Sequence, residues 1–169
     1  MFEFQPEYKK SETVAARNLG EKIAKMHGSS PPVPVKEIIT SKYRIEIIEL
    51  ELDPSVSAIV DLDMKEIMIN STQGHQRGRF TLAHELGHIV LNHGVRKWTE
   101  YSSYVGGNSD KPIEEEANAF AAGLLIPGFM LKSAVQRIKN PKELANHFEV
   151  SEQSMWISLQ THKLINKLF

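Results

Sequence analysis

The stretch from Phe80 to about Asn92 constrains the fold more than any other part of the chain. Read as a helix it is apolar almost all round, so it has to be buried with neighbours on several faces. The same helix carries His84, Glu85 and His88. At 100° per residue, positions 84 and 88 stand about 40° apart, so both imidazoles point the same way. That spacing lets two neutral imidazole nitrogens reach one Zn²⁺. Glu85, offset by about 100°, can stand beside the ion and take a proton from an attacking water without being a ligand.

A third ligand has to come from elsewhere. The extended motif that adds a Gly three residues and a His six residues after the second histidine is absent, since those positions are Leu91 and Gly94. His93 would lie about 180° from His84 if the helix ran that far, and so reads as a partly buried or end-of-helix residue. A carboxylate is the remaining choice. The helix predicted over Ile113 to Leu125 begins with Glu114-Glu115-Glu116, and its apolar stripe is Ile113, Ala117, Phe120, Ala121 and Leu124. Glu114 lies at the edge of that stripe, in line with Asn118, and is best placed to meet the first helix. Glu115 and Glu116 read as charges favoured at a helix N-terminus, a reading that stays open for Glu114 as well. Asn118 could orient Glu114 or the histidines. Gly87 costs a helix up to about 1 kcal/mol, which points to a close approach of backbone or substrate, or to plain helix packing.

The rest of the chain supplies the frame. A helix is predicted from Ser11, its cap, to His27, followed by an extended lead into a short helix at Val33 to Ile39. Tyr43 to Leu50, Val56 to Val60 and Glu66 to Asn70 read as strands, the last two joined as a hairpin. Ser71 to Arg79 is a loop or the frayed start of the buried helix. Gly94 to Pro112 reads as a polar loop, a lid or substrate edge, in which Tyr101 and Tyr104 could donate to a developing oxyanion or simply pack. Phe129 to Ile138 is a third helix, Asn140-Pro141 opens a fourth, and Ser151 caps a last one through about Lys163. The layout is α+β, with a small antiparallel sheet and then helices. Residues 1–130 form the main domain and 131–169 a helical appendage.

Composition narrows the function. Forty-one per cent hydrophobic residues with 24% charged ones suit a globular core, and a net charge of -1 gives no bulk attraction to nucleic acid or anionic lipid. The absence of cysteine excludes thiolate nucleophiles and Cys-ligated zinc. The N-terminus lacks a basic start and apolar run, and the apolar stretch from Ala117 to Pro127 is too short for a bilayer, so a soluble cytoplasmic protein with no membrane partner is expected. Glu143 to Gln160 has the rhythm of a helix-turn-helix. Residues 132–169 carry six basic and three acidic side chains, a net of +3, and Glu152 sits in the first turn of the would-be reading helix. That argues against DNA binding by this chain alone, and for a structural or partner-docking role.

Arg79-Phe80-Thr81-Leu82-Ala83-His84-Glu85-Leu86-Gly87-His88, followed by Glu114-x-x-Ala117-Asn118-x-Phe120-Ala121-Ala122-x-Leu124-Leu125-x-Pro127, resembles the ImmA/IrrE family of metallopeptidases. The resemblance covers roughly Ser11 to Ile165. It implies a zincin-like (gluzincin-type) fold with helix-turn-helix-like C-terminal helices. It also implies one Zn²⁺ per chain, with Mn²⁺ the other candidate, held by His84, His88 and Glu114, and Glu85 as general base. The implied substrate is a helix-turn-helix transcriptional repressor whose cleavage releases mobile-element or stress genes. The length of the chain suggests the short form of the family, without a sensor-like domain. The competing readings are a non-catalytic regulator or a toxin–antitoxin component, acting through repressor or DNA binding.

Overall fold

The computed structural model describes residues 11–101 and 111–169. In chain order its elements are α1 (Thr13–His27), α2 (Val35–Glu37) running into a π turn at Ile38–Lys42, β1 (Glu46–Leu50), β2 (Val56–Asp61), β3 (Glu66–Asn70), α3 (His75–Val90), β4 (Lys97–Tyr101), α4 (Lys111–Leu125), α5 (Gly128–Ala134), α6 (Pro141–Phe148) and α7 (Glu152–Thr161), closed by a 3₁₀ turn at Ile165–Lys167. This is a mixed α and β fold. Among the described residues, no single helix is long and apolar enough to cross a membrane.

The sheet has the order β1-β3-β2-β4 and corrects two expectations. It is mixed rather than antiparallel: β2 pairs antiparallel with β3 and β4, but β1 runs parallel to β3. The reason lies at the end of β3. The link from β1 to β2 crosses over it, held by buried Asn70, whose Nδ2 donates to the carbonyls of Asp53 and Val56 at 3.1 and 2.8 Å. β1 therefore ends up on the far side of β3, pointing the same way. The second correction is β4, a strand inside the stretch expected to be a polar loop. Among the described residues it pairs only with β2, and so forms an edge of the sheet.

One face of the sheet carries Ala58, Val60, Ile67 and Ile69, all buried, and packs on α3. Trp98 stands opposite Val60, and Glu100 opposite Ala58. Cross-strand partners share a face, so both side chains point toward α3. The other side of α3 packs on α4, and α4 on α1. These helices approach closely because they cross at glycines. A Cβ on Gly123 would lie 2.2 Å from the Arg17 carbonyl oxygen, and one on Gly20 would lie 2.3 Å from that of Phe120. At Gly87 a Cβ would sit 3.2 Å from Ala117 Cα, so helix packing is what this glycine serves.

Ser11 does not cap α1. Its hydroxyl donates to Glu115 at 2.7 Å, tying the start of α1 to α4. At the other end of the chain Asn140 accepts from the backbone of Lys142 and Glu143, with Pro141 at the first helical position, and Ser151 accepts from Ser154. Leu131, Leu144, Phe148, Met155 and Leu159 of α5 to α7 join the same hydrophobic core as the sheet and α3. Buried Arg79 fastens the α6–α7 corner to α3: its Nη2 donates to the Val33 carbonyl at 3.0 Å and its Nε to the Glu149 carbonyl at 3.3 Å.

Candidate metal centre

Three elements converge on one point. From α3, His84 and His88 bring their Nε2 atoms to 3.0 Å of each other. From α4, Glu114 sets one carboxylate oxygen 3.3 Å from His84 Nε2 and the other 3.4 Å from His88 Nε2. From β4, Glu100 brings an oxygen to 3.7 Å of His84 Nε2. One ligand atom from each of these four residues lies within 4.8 Å of every other. Both histidines are buried, and Glu114 is nearly so.

The far sides of the two rings explain which nitrogens face inward. His84 Nδ1 lies 2.9 Å from Asn118 Oδ1, and that amide oxygen can only accept, so Nδ1 carries the proton and Nε2 keeps its lone pair. His88 Nδ1 lies 2.8 Å from His93 Nδ1, and His93 Nε2 lies 3.0 Å from Glu116 Oε2. The carboxylate accepts from His93 Nε2, which leaves His93 Nδ1 to accept from His88 Nδ1. His88 Nε2 is then a free lone pair as well. Two lone pairs 3.0 Å apart with a carboxylate beside them repel unless a cation lies between them.

As protein groups alone, the residues meet that demand with a proton. Burial disfavours a charged His84, but hydrogen bonds to Glu100 and Glu114, aided by the charge of Glu85, outweigh it and push its pKa up to about 10. Burial and the neighbouring His84 charge push His88 down to about 3. Burial also works against the Glu114 carboxylate, yet its His84 hydrogen bond and the nearby imidazoles hold it below the usual range. A divalent cation answers the same demand with coordinate bonds, and two imidazoles with a carboxylate are a donor set that suits Zn²⁺.

Glu85 lies at the heart of the centre and is fully buried. Burial pushes its pKa up to about 8, against the opposing influence of His84 and of a hydrogen bond from Trp98. Trp98 Nε1 donates to Oε2 at 2.6 Å, while Oε1 has no hydrogen-bond partner among the described residues. A buried carboxylate oxygen without a partner is costly unless a ligand or water completes it. This orphaned atom, on the residue that follows His84, fits a centre built to hold an ion and a water.

A cleft of about 510 Å³ opens onto His84, Glu100 and Glu114. Phe80 and Thr81 of α3 lie on one side of it, and Ser151, Gln153 and Ser154 at the start of α7 also line it. Tyr101 ends β4 at the same cleft, half exposed, while Tyr104 lies outside the described residues.

Spacing on two helices therefore brings together His84, Glu85, His88, Glu114 and Asn118. Four other residues at the centre are not among the predicted site residues: Trp98 and Glu100 fall in the expected loop, and His93 and Glu116 read as an end-of-helix histidine and a helix-terminus charge. Trp98 and Glu100 reach it only because β4 is a strand, and the alternation of Trp98 and Glu100 with Lys97, Thr99 and Tyr101 was the available signal. His93 and Glu116 carried none, because α3 stops at Val90. Asn92 takes a left-handed conformation (φ 53°), His93 N–H bonds the His88 carbonyl at 3.1 Å and Asn92 N–H that of Ile89 at 3.2 Å. This reversal swings His93 back onto His88, and Glu116, expected only to favour a helix terminus, receives it.

The model of the IrrE N-terminal-like domain matches residues 40–159. The radiation response metalloprotease IrrE of Deinococcus radiodurans is 33% identical over 104 residues, covering 59% of this chain and 32% of that protein. The protein of the same name from Deinococcus deserti is 33% identical over 98 residues, covering 55% of this chain and 35% of its own. The chain thus spans about a third of the length of these curated relatives. A solved Mycobacterium tuberculosis transcriptional regulator superposes with a TM-score of 0.66 over 84% of this chain and 45% of that one, at 14% identity, a likeness of fold alone.

Proposed function

Since the chain belongs to the family of the IrrE N-terminal-like domain, we propose that it is a zinc-dependent endopeptidase in which His84, His88 and Glu114 hold the ion and Glu85 is the general base. The observation that carries the reading is the meeting of two Nε2 lone pairs and one carboxylate within 3.0 to 3.4 Å, with both imidazoles on the helix that also carries buried Glu85, whose Oε1 has no partner among the described residues. The ion supplies Lewis acidity, polarising a carbonyl oxygen and easing the deprotonation of water.

The remaining work belongs to the protein. Glu85 Oε1 takes a proton from the water that attacks the peptide carbon, while Trp98 holds Oε2 in place. The same carboxyl group then returns that proton to the departing amine nitrogen, which breaks the C–N bond. Asn118 fixes the tautomer of His84 and keeps its Nε2 directed inward. Tyr101, at the rim of the cleft, is the described candidate for donating to the oxyanion.

The zincin-like reading of residues 1–130 and the helix-turn-helix-like reading of 131–169 belong to the same proposal. So does the substrate, a helix-turn-helix transcriptional repressor presented as a polypeptide to the cleft beside α7. Participation of Ser151, Gln153 and Ser154 in that cleft supports a substrate-facing role for α7, rather than a DNA-reading one. The test is cleavage of a co-encoded repressor, with and without chelator, by the chain and by Glu85→Gln. The variant is expected to keep one Zn²⁺ per chain and to lose cleavage. Undiminished cleavage by Glu85→Gln would remove Glu85 from its role.

A further inference from the structure

Resting on that reading of the centre, we propose that Glu100 is a fourth protein ligand of the ion, so that the resting site is coordinatively closed and opens only when β4 withdraws this carboxylate. Catalytic zinc sites ordinarily use three protein ligands and keep one position for water or substrate, whereas four protein ligands make a closed site. A tetrahedron with bonds of about 2.0–2.1 Å has edges of about 3.3 Å. The His84–Glu114 and His88–Glu114 separations are 3.3 and 3.4 Å; Glu100 lies 3.7 Å from His84 and within 4.8 Å of the other ligand atoms, so a small inward shift of its carboxylate completes the set.

Charge points the same way. Glu85, Glu100 and Glu114 set three carboxylates against two imidazoles, and ligand atoms of Glu100 and Glu114 lie within 4.8 Å of those of His84 and His88. A dication bound by Glu100 and Glu114 together offsets that excess of negative charge. The backbone places the side chain too: Glu100 pairs with buried Ala58 on the face that packs against α3, and the register shift, with Ser57 of β2 as the extra residue, falls just beyond that pair. Such irregularities occur next to functional sites. Because β4 pairs on one side only among the described residues, movement of this edge strand would draw Glu100 back without breaking the rest of the sheet. With that carboxylate withdrawn, His84, His88 and Glu114 would hold the ion and leave a position for water. A polypeptide engaging β4 is the agent suited to cause that exchange, since an extended chain can add to a strand edge that no described residue pairs with.

The test uses the intact chain loaded with Co²⁺ in place of Zn²⁺, and follows the visible absorption on titration with azide, a ligand that binds an open position. The unsubstituted chain is expected to show a tetrahedral spectrum that azide leaves unchanged. Glu100→Ala and the near-isosteric Glu100→Gln are expected to give spectra that azide shifts. Their Zn²⁺ affinity, read by competition with a chromogenic chelator, should fall about 10-fold or more. Equal azide response in all three proteins, or unchanged Zn²⁺ affinity in both variants, would overturn the assignment of Glu100 while leaving the three-ligand centre standing. Failure of the unsubstituted chain to bind Co²⁺ or Zn²⁺ would overturn both.

Discussion

His93 Nδ1 lies 2.8 Å from His88 Nδ1, on the side of the imidazole that faces away from the converging lone pairs. With Glu116 on its other nitrogen, His93 fixes both the orientation of His88 and the position of its proton. Loss of such supporting contacts typically lowers metal affinity about 10- to 100-fold. His93→Ala should therefore weaken Zn²⁺ binding by that order while leaving the stoichiometry at saturation unchanged, as measured by chelator competition. Glu116→Gln should have a smaller effect in the same direction, because an amide oxygen can still accept from His93.

Trp98→Phe keeps the ring and deletes the donor to Glu85. A hydrogen bond to a charged group contributes about 1.5–3 kcal/mol. Repressor cleavage by this variant should thus fall by roughly 10- to 100-fold with metal content intact, as read by a cleavage time course beside metal analysis.

Gly123→Ala inserts a methyl group where the Arg17 carbonyl oxygen lies 2.2 Å away, against backbone that cannot rotate aside. Overpacking of this kind costs about 1–3 kcal/mol, sometimes more. The midpoint of chemical denaturation should drop accordingly. Because α4 carries Glu114 and Asn118, the variant should also bind Zn²⁺ more weakly. Gly74→Ala, with nothing within 4 Å of the new methyl, is the control expected to change neither property.

Glu149 titrates below its ordinary 4.5, chiefly through the hydrogen bond with His75 and then through the charges of Arg79 and His75. A carboxylate depressed in the folded state contributes stability above its unfolded pKa and loses it as pH falls through the folded value. The unsubstituted chain should therefore be more stable than Glu149→Gln at pH 7, and the difference should shrink on acidification below about 4.5. Denaturation midpoints of both proteins across that range provide the measurement.

The parts legible in the sequence were those governed by periodicity within one element. Positions 84 and 88 share a helix face whatever surrounds them, and the stripe of α4 places Glu114 and Asn118 at its edge. The caps at Asn140 and Ser151 were equally local. What escaped depended on partners distant in sequence or on where an element stops. Lys97 to Tyr101 becomes a strand by pairing with β2, so Trp98 and Glu100 could not be assigned to the centre from their neighbours. The parallel placement of β1 follows from the crossover that Asn70 holds, and Ser11 gives its hydroxyl to Glu115 rather than to its own helix. His93 was judged on a helix assumed to continue, and one left-handed residue, Asn92, changes its destination.

Arg79 ties the fate of the chain's last helices to that of α3. If the α6–α7 corner peeled away, its guanidinium would lose the Glu149 carbonyl and carboxylate and be left buried with too few acceptors. Partial unravelling from the C-terminus thereby removes contacts from the helix that bears both imidazoles. In hydrogen–deuterium exchange, the inner amides of α3 and α6 should open as one cooperative unit, so that the cleft wall and the centre it faces persist or vanish together.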